Sequence, residues 1–295
     1  MQHLCEVKRT KLKVKSLGRA TVCLLLFAFS LVSGCAWFER APEVPLKEAT
    51  AAQLAGQLQQ REKVIQTMKG LFRAQISGSV IPIAHRVEAA VYYRRPEALR
   101  LLGFNHVGGK LFEFRQNRTH YRLDLPAEGK RFTGSLDQLQ QAKIGRMLML
   151  SRWAVNGVVG GDSPSADAQS ALVEDGDRYR LDVVVPAGNG RMLRRLWFER
   201  HTLQLEQEER MRENGEVEAL LTFEDYRGIA AAPAGAAQGA GRATLMPFKV
   251  TIVDRAGSGS IVLTFHEIVL NPSLKPEETG LAARAGKEPH EHSGG

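Results

Sequence analysis

The residue with the clearest chemistry in this sequence is Cys35, which follows a basic stretch, an apolar run and two small residues. A basic stretch over residues 8–19 precedes an apolar run over residues 22–32, and the small residues Ser33 and Gly34 come directly before the cysteine. The apolar run is too short to span a bilayer comfortably. Small residues let a peptidase close around extended backbone, so we expect cleavage between Gly34 and Cys35. The exposed thiol is nucleophilic enough to take a diacylglycerol group.

The segment 31–35, Leu-Val-Ser-Gly-Cys, resembles the bacterial lipobox read by prolipoprotein transferase and signal peptidase II. The resemblance implies a lipoprotein with diacylglycerol and palmitate-type chains on Cys35, facing the periplasm. Each buried methylene adds roughly 0.8 kcal/mol to membrane binding, so several chains would hold the protein essentially permanently. Ala36 stands where many inner-membrane lipoproteins carry aspartate, which favours the outer membrane. A plain signal peptide or a single-span anchor with an incidental cysteine is the alternative.

The composition is that of a globular protein and does not indicate a nucleic-acid partner. Of the 295 residues, 43% are hydrophobic and 24% are charged, so the chain can bury a sizeable core. The formal net charge is +8, but residues 1–34 hold six basic residues against one acid and account for +5 of it, which leaves +3. Basic pairs such as Arg94 and Arg95 have acidic neighbours in sequence, so we expect solvated surfaces there.

The sequence contains few groups suited to catalysis. Cys5 and Cys23 leave with the leader and Cys35 is consumed by acylation, so the mature domain has no thiol. Gly-x-Ser-x-Gly, a Walker loop and His-Glu-x-x-His do not occur, and no dinucleotide fingerprint joins a strand to a helix. We therefore predict a protein that is not an enzyme, with no catalytic residues, no metal site and no cofactor.

Hydrophobic periodicity predicts two helices in the mature chain. One spans about residues 48–69, where apolar residues recur at spacings of three, four and seven among glutamines and charged residues. The other spans about residues 135–150, with Ser135 as its N-cap. Each apolar face needs a partner surface, so we expect both helices to cover a sheet.

Most of the remaining chain has the alternation of antiparallel strands. Phe112 and Phe114, for example, alternate with charged residues, and Asn189-Gly190 and Asn214-Gly215 are strong hairpin signals. Loops are predicted over residues 157–168 and over the low-complexity segment 228–243. The predicted strands span residues 72–81, 85–95, 98–104, 109–115, 119–125, 130–134, 178–186, 192–200, 203–211, 216–227, 246–254 and 259–270.

This inventory predicts a mainly β protein with α-helices, in which a curved antiparallel sheet holds the helices in its concavity. Four parts of the chain are expected. Residues 1–34 are the signal peptide and residues 35–45 the acylated tether. Residues 46–272 form the folded domain, and residues 273–295 form a polar, disordered tail.

Several segments carry a resemblance to a known family. They are the end of the leading helix at 65–70, the strand crossing at 92–100, the late runs at 223–227 and 247–250, and Asn271-Pro272 after the last strand. Together they resemble the LolA/LolB-like proteins, whose founding members carry and receive lipoproteins in the periplasm. The resemblance covers about residues 54–279, and the alanine- and glycine-rich loop and the long tail depart from it.

The resemblance implies a curved, incomplete antiparallel β-barrel whose concave face is capped by helices and leaves a cavity for acyl chains. A dry core without a cavity is the alternative, because only a cavity of a few hundred Å³ would admit a lipid. The cleaner alternations select as lipid-cavity candidates Phe112, Phe114, Tyr121, Leu123, Leu125, Val250 and Ile252.

Three functions remain open from the sequence. The first is an outer-membrane-anchored, non-catalytic lipoprotein that binds lipid or lipoprotein acyl chains in an apolar cavity, for carriage or insertion. The second is an envelope interaction or assembly module that uses the same fold without lipid transport. The third is a hydrolase, which would need clustered titratable residues in a cleft. The expected partners are membrane lipid through acylated Cys35, acyl chains in the cavity, and other envelope proteins.

Overall fold

The computed structural model describes most of the chain between Pro45 and Thr279. The described residues are 45–78, 86–96, 98–136, 145–160, 163–164, 169–187, 190–212, 214–230, 243–257 and 259–279. From Leu46 onward they belong to one compact unit. The leader, Gly34, Cys35 and most of the tether lie outside the described residues, so their roles stay predictions.

Helix α1 (Ala51–Val64) begins at a capping box. The Thr50 hydroxyl accepts a hydrogen bond from the Gln53 amide at 3.2 Å, and the Gln53 side chain accepts one from the Thr50 amide at 2.8 Å. Leu54 and Leu58, one turn apart, are buried in the core. The apolar stripe thus predicts this helix correctly.

The helix ends before the predicted residue 69, because the chain turns into a strand. Ile65 has an extended backbone, and the first strand begins at Thr67. Met68 and Phe72 continue the helical spacing in the sequence, yet they reach the core from alternate positions of that strand. The same apolar residues suit both structures, which is why the sequence placed the boundary too late.

In the part of the chain that the structure describes, thirteen antiparallel strands form a single sheet. They are β1 (Thr67–Ser77), β2 (Arg86–Arg94), β3 (Ala98–Phe104), β4 (Lys110–Gln116), β5 (His120–Leu125), β6 (Lys130–Ser135), β7 (Ser170–Asp175), β8 (Arg178–Ala187), β9 (Gly190–Glu199), β10 (Leu205–Met211), β11 (Val217–Ala230), β12 (Ala243–Asp254) and β13 (Gly259–Leu270). Their order is β6-β5-β4-β3-β2-β1-β13-β12-β11-β10-β9-β8-β7. Among the described residues the sheet leaves β6 and β7 as edges and does not close into a barrel, which confirms the predicted fold class.

The concave face of the sheet is apolar over most of its area, and the opposite face is exposed to solvent. In β5, Tyr121, Leu123 and Leu125 are buried, while Arg122 and Asp124 between them form an ion pair at 2.7 Å on the outer face. Successive residues of a strand point to opposite faces, so this alternation assigns each residue to a side. The core therefore lies within the curve of the sheet.

Helix α2 (Gly145–Val159) fills the concave face. Eleven of its fifteen residues are buried, and they surround the helix on every side. A helix that is apolar all round belongs inside a core. Gly157 lies so close to Phe223 of β11 that a β-carbon there would be 2.6 Å from the ring. The helix is therefore a tightly packed part of the interior.

The structure corrects several predicted boundaries. Helix α2 continues to Val159, past the predicted end at residue 150. Ser135 is the last residue of β6 and Leu136 after it is helical, but residues 137–144 lie outside the described residues, so the predicted N-cap stays a prediction. Strands β11 and β12 extend to Ala230 and from Ala243, into both ends of the predicted loop. Strand β7 was not predicted, because nearly all its residues are exposed and a strand without a buried face shows no alternation.

The fold also continues beyond the predicted boundary at residue 272. Leu274 and Thr279 are buried, and helix α3 (Pro276–Thr279) lies on the outer face of β2 and β3. Arg100 donates a hydrogen bond to the carbonyl oxygen of Glu277 at 2.8 Å. The start of the predicted tail is thus part of the domain, and residues 280–295 lie outside the described residues.

Candidate functional site

An apolar pocket of about 40 Å³ lies between α2 and the concave face of the sheet. Five strands and helix α2 line it. The lining residues are Phe72, Ala74 and Ile76 of β1, Val87 and Ala89 of β2, Leu101 of β3, Phe112 of β4, Ile261 and Leu263 of β13, and Met147, Leu148, Ser151 and Val155 of α2. No ionisable side chain is among them, so an acid or base for hydrolysis is missing from this pocket. The volume suits about one water molecule and falls well short of what a bound acyl chain occupies.

The C-terminal end of α2 is held by the guanidinium of Arg95, which follows β2. Arg95 Nη2 donates to the carbonyl oxygen of Val159 at 2.8 Å, and its Nε donates to the carbonyl oxygen of Ile65 at 2.7 Å. Its Nη1 also contacts Glu62 Oε1 at 3.2 Å. Carbonyls in the last turn of a helix have no partner within the helix. One side chain therefore satisfies carbonyls at the ends of both α1 and α2.

The N-terminal end of α2 is held by Arg146, which forms ion pairs with two strands. Its Nη2 and Nε donate to the two carboxylate oxygens of Asp254 at 2.6 and 3.1 Å, and its Nη1 contacts Glu218. Burial alone would raise the pKa of Asp254, but the hydrogen bonds and charge of Arg146 outweigh it and hold that pKa below its ordinary value. This bidentate pair positions α2 against the ends of β11 and β12.

The concave face carries a second, charged region on the side of α2 away from the pocket. Arg194 of β9 and Arg210 of β10 both donate to Glu208 Oε1, at 2.9 and 2.7 Å, and all three side chains are buried. The Arg210 guanidinium lies 4.9 Å from the ring centroid of Trp153 on α2. The interior is thus apolar towards β1–β4 and β13 and polar towards β9 and β10.

The seven predicted cavity residues all contribute to the hydrophobic core around this site. Phe112 lines the pocket directly. The other six, from β4, β5 and β12, are buried in the core but are not among the pocket's lining residues: Phe114, Tyr121, Leu123, Leu125, Val250 and Ile252. Their contact with a lipid stays a prediction.

Sequence reasoning missed Arg95, which it read as a solvated charge in a turn. The side chain is only 13% exposed. Its partners are backbone carbonyls at the ends of two helices far apart in the chain. Every residue has a backbone carbonyl, so the sequence gives no sign of which carbonyls Arg95 contacts. Only the meeting of the two helix ends reveals its position in the fold.

Two further observations concern the described part of the chain. No helix there is both long enough and apolar enough to cross a membrane. Within the same residues, His, Cys, Asp and Glu side chains form no group of three that could hold a metal ion.

Comparison with known proteins identifies the fold. Family models and curated proteins give no match. Among solved structures, a proposed outer membrane lipoprotein-sorting protein domain from Vibrio parahaemolyticus has a TM-score of 0.51 at 10% identity, over 78% of this chain and 97% of that domain. A DUF1329 family protein from Desulfovibrio piger has a TM-score of 0.51 at 11% identity, over 78% and 95%. A LolA superfamily protein from Nitrosomonas europaea has a TM-score of 0.48 at 12% identity, over 78% and 97%. The matches with a TM-score of 0.51 show the fold, which is the LolA/LolB-like fold that the resemblance implied.

Proposed function

We propose that this protein is a non-catalytic outer-membrane lipoprotein, anchored through acylated Cys35 on the periplasmic side, that binds lipid or lipoprotein acyl chains. The chain would lie between α2 and the strands β1–β4 and β13. The observation that carries the proposal is the apolar pocket at this interface, which has no ionisable group in its lining. The fold of the domain and the lipobox-like segment support it.

To bind an acyl chain, the concave face of the sheet must exchange part of its contact with α2 for contact with the acyl chain. The pocket of about 40 Å³ holds no acyl chain, so α2 must separate from the sheet at one end. A dozen buried methylenes contribute roughly 10 kcal/mol. Two hydrogen bonds from a charged donor, such as those of Arg95 at the C-terminal end, contribute about 3–6 kcal/mol. An entering chain can therefore offset the loss of the contacts at that end, without any covalent step.

The test is binding of a fluorescent fatty acid to the domain from Ala36 onward, together with native mass spectrometry of the protein as purified. Ala89→Val places added volume in the pocket from the concave side of β2. Ala90→Val adds the same volume to the next residue, which faces the opposite side of the sheet. In Ala89→Val the two added methyl groups should displace about two methylenes of the bound fatty acid, which weakens its binding roughly tenfold. In Ala90→Val the affinity for the fatty acid should be unchanged. Equal affinities in both variants, or no uptake by the unmodified domain, would argue against an acyl site here.

The anchor has its own test. Mass spectrometry of the N-terminal peptide should find acyl groups on Cys35, and Cys35→Ser should lack them and leave the leader attached. Membrane fractionation should place the protein with the outer membrane, and Ala36→Asp should shift it to the inner membrane. If the N-terminal peptide of the unmodified protein began at a residue other than Cys35, the lipoprotein assignment would be refuted.

A second function, docking of envelope proteins without lipid transport, is favoured by one observation. A groove of about 190 Å³ lies on the outer face of β1, β2 and β13, beside the exposed Leu71 and Val269. A well-folded domain that takes up no fatty acid, but loses a co-purifying envelope protein on Leu71→Glu, would establish this function in place of the first.

A further inference from the structure

The two edge strands of the sheet have opposite charges. Strand β6 carries Lys130 and Arg131, and β7 carries Glu174 and Asp175; all four are exposed. Each edge pairs with one neighbour only within the described residues, β6 with β5 and β7 with β8. Exposed strand edges present unpaired backbone groups that can accept another strand.

The two edges are also matched residue by residue. Each strand has six residues, Lys-Arg-Phe-Thr-Gly-Ser in β6 and Ser-Ala-Leu-Val-Glu-Asp in β7. In an antiparallel register that sets Lys130 opposite Asp175, Arg131 stands opposite Glu174. The same register sets Phe132 opposite Val173, which are 42% and 39% exposed and are among the few large apolar side chains left in solvent. Opposite charges and apolar pairs across strands both stabilise a sheet.

This antiparallel pairing cannot form within one chain. Every neighbouring pair in the thirteen-stranded sheet is antiparallel, so the first strand, β6, and the thirteenth, β7, run in the same direction. Closing the barrel would bring them together in parallel and lose the charge match. The strand that fits β6 is therefore β7 of a second copy.

We propose that copies of this protein associate side by side, with β6 of one copy paired antiparallel to β7 of the next. This goes beyond the proposed function and does not depend on it. Two of these charges are in surface ion pairs that exchange at little cost, Lys130 with Glu128 and Asp175 with Arg178. The other two, Arg131 and Glu174, pair with Asp124 and Arg200, whose side chains are 16% and 10% exposed.

The faces of the two sheets agree with such a contact. Phe132 is paired with Leu123 and shares the concave side, whereas Val173 is paired with Arg180 and shares the outer side. The concave face of one copy therefore continues as the outer face of the next, and the curvature reverses at the junction. This reversal keeps the two curved bodies apart. The contact joins different surfaces of the two copies, so it can extend beyond a dimer.

Disulfide crosslinking of the full-length chain in cells tests the pairing. One tagged copy carries Phe132→Cys and a second, differently tagged copy carries Val173→Cys, so only a contact between copies can join them. Directly opposite residues of antiparallel strands have Cα atoms about 4.5–5.5 Å apart, within disulfide range. The native cysteines all precede residue 36, and chains without the new cysteines measure their background. The control pair is Phe132→Cys with Leu245→Cys, an exposed position on β12.

Charge reversal separates specific pairing from collision. Adding K130E and R131E to the first copy sets like charges opposite each other at two positions and should lower the crosslinked fraction roughly tenfold. Adding E174K and D175K to the second copy as well should restore it, which also shows that the reversed chains fold. A Phe132–Val173 yield no higher than the Phe132–Leu245 yield, or a yield that charge reversal leaves unchanged, would overturn the proposal.

Discussion

Replacing Arg95 with alanine should loosen both helices that occupy the concave face. The guanidinium donates to the carbonyl oxygens of Ile65 and Val159 at 2.7 and 2.8 Å, and it contacts Glu62 at 3.2 Å. Alanine removes all three contacts at once and leaves two helix-terminal carbonyls without that donor. The C-terminal end of α2 would then lose its hydrogen bond from Arg95.

The expected loss of stability in Arg95→Ala follows from the two hydrogen bonds that Arg95 donates to backbone carbonyls. Each hydrogen bond from a charged donor contributes about 1.5–3 kcal/mol. Arg95 is 13% exposed, so water can replace part of the loss, and we expect the free energy of unfolding to fall by about 3 kcal/mol. Arg95→Lys keeps the charge but lacks the planar fork that reaches two carbonyls, so it should lose about half as much.

Equilibrium unfolding in urea, followed by circular dichroism, measures these differences. The matched control is Arg73→Ala, which breaks the exposed Arg73–Glu88 pair at 2.7 Å and should cost less than about 1 kcal/mol. A second readout is uptake of the fluorescent fatty acid, which should become faster when α2 is held less firmly. If Arg95→Ala is no more destabilising than Arg73→Ala, the view that Arg95 holds the helix ends is wrong.

Two further predictions concern the packing and the ionic contacts of α2. Gly157→Ala should destabilise the domain by about 1–3 kcal/mol, because its β-carbon would be 2.6 Å from the ring of Phe223. The same change at Gly56, a helical position with nothing within 4 Å, should stabilise by about 0.5–1 kcal/mol, and thermal melts that rank the two variants otherwise would contradict this. Arg146 lowers the pKa of Asp254 in the folded protein. The ionised Asp254 therefore stabilises the fold fully at pH values above its unfolded pKa of about 3.9, and this contribution is lost as the pH falls through the lower, folded pKa. Asp254→Asn should therefore be less stable at neutral pH and lose less stability below about pH 4, and urea midpoints that decline in parallel for both proteins would refute the assignment.

The alternation of apolar and polar residues predicted twelve of the thirteen strands, and β3 and β13 to the residue. It succeeded because most strands bury one face, so that period two is visible in the sequence. It failed for β7, which is exposed on both faces, and at the start of β1, where Ile65 and Met68 suit a helix equally well. Glycine and asparagine in the sequence predicted the positions of hairpin turns, because these residues tolerate the backbone angles that tight turns need.

The site was less accessible to sequence reasoning than the fold. Phe112 was among the predicted cavity residues and lines the pocket, but the predicted helix ended at residue 150 and so left out Ser151 and Val155, which also line it. The size of the cavity depends on how closely α2 packs on the sheet, and close packing is a property of pairs of side chains brought together from distant strands.

The sequence by itself predicted an export signal with its cysteine, and it determined the antiparallel sheet and the presence of an apolar concave face, because each depends on local composition or on a short period. The tertiary structure decided that α2 fills that face down to a pocket of about 40 Å³ and that Arg95 joins two helix ends. It also decided that the two edges of the sheet expose strands of opposite charge. These features arise from contacts between residues far apart in the chain, and no local pattern records which of them will meet.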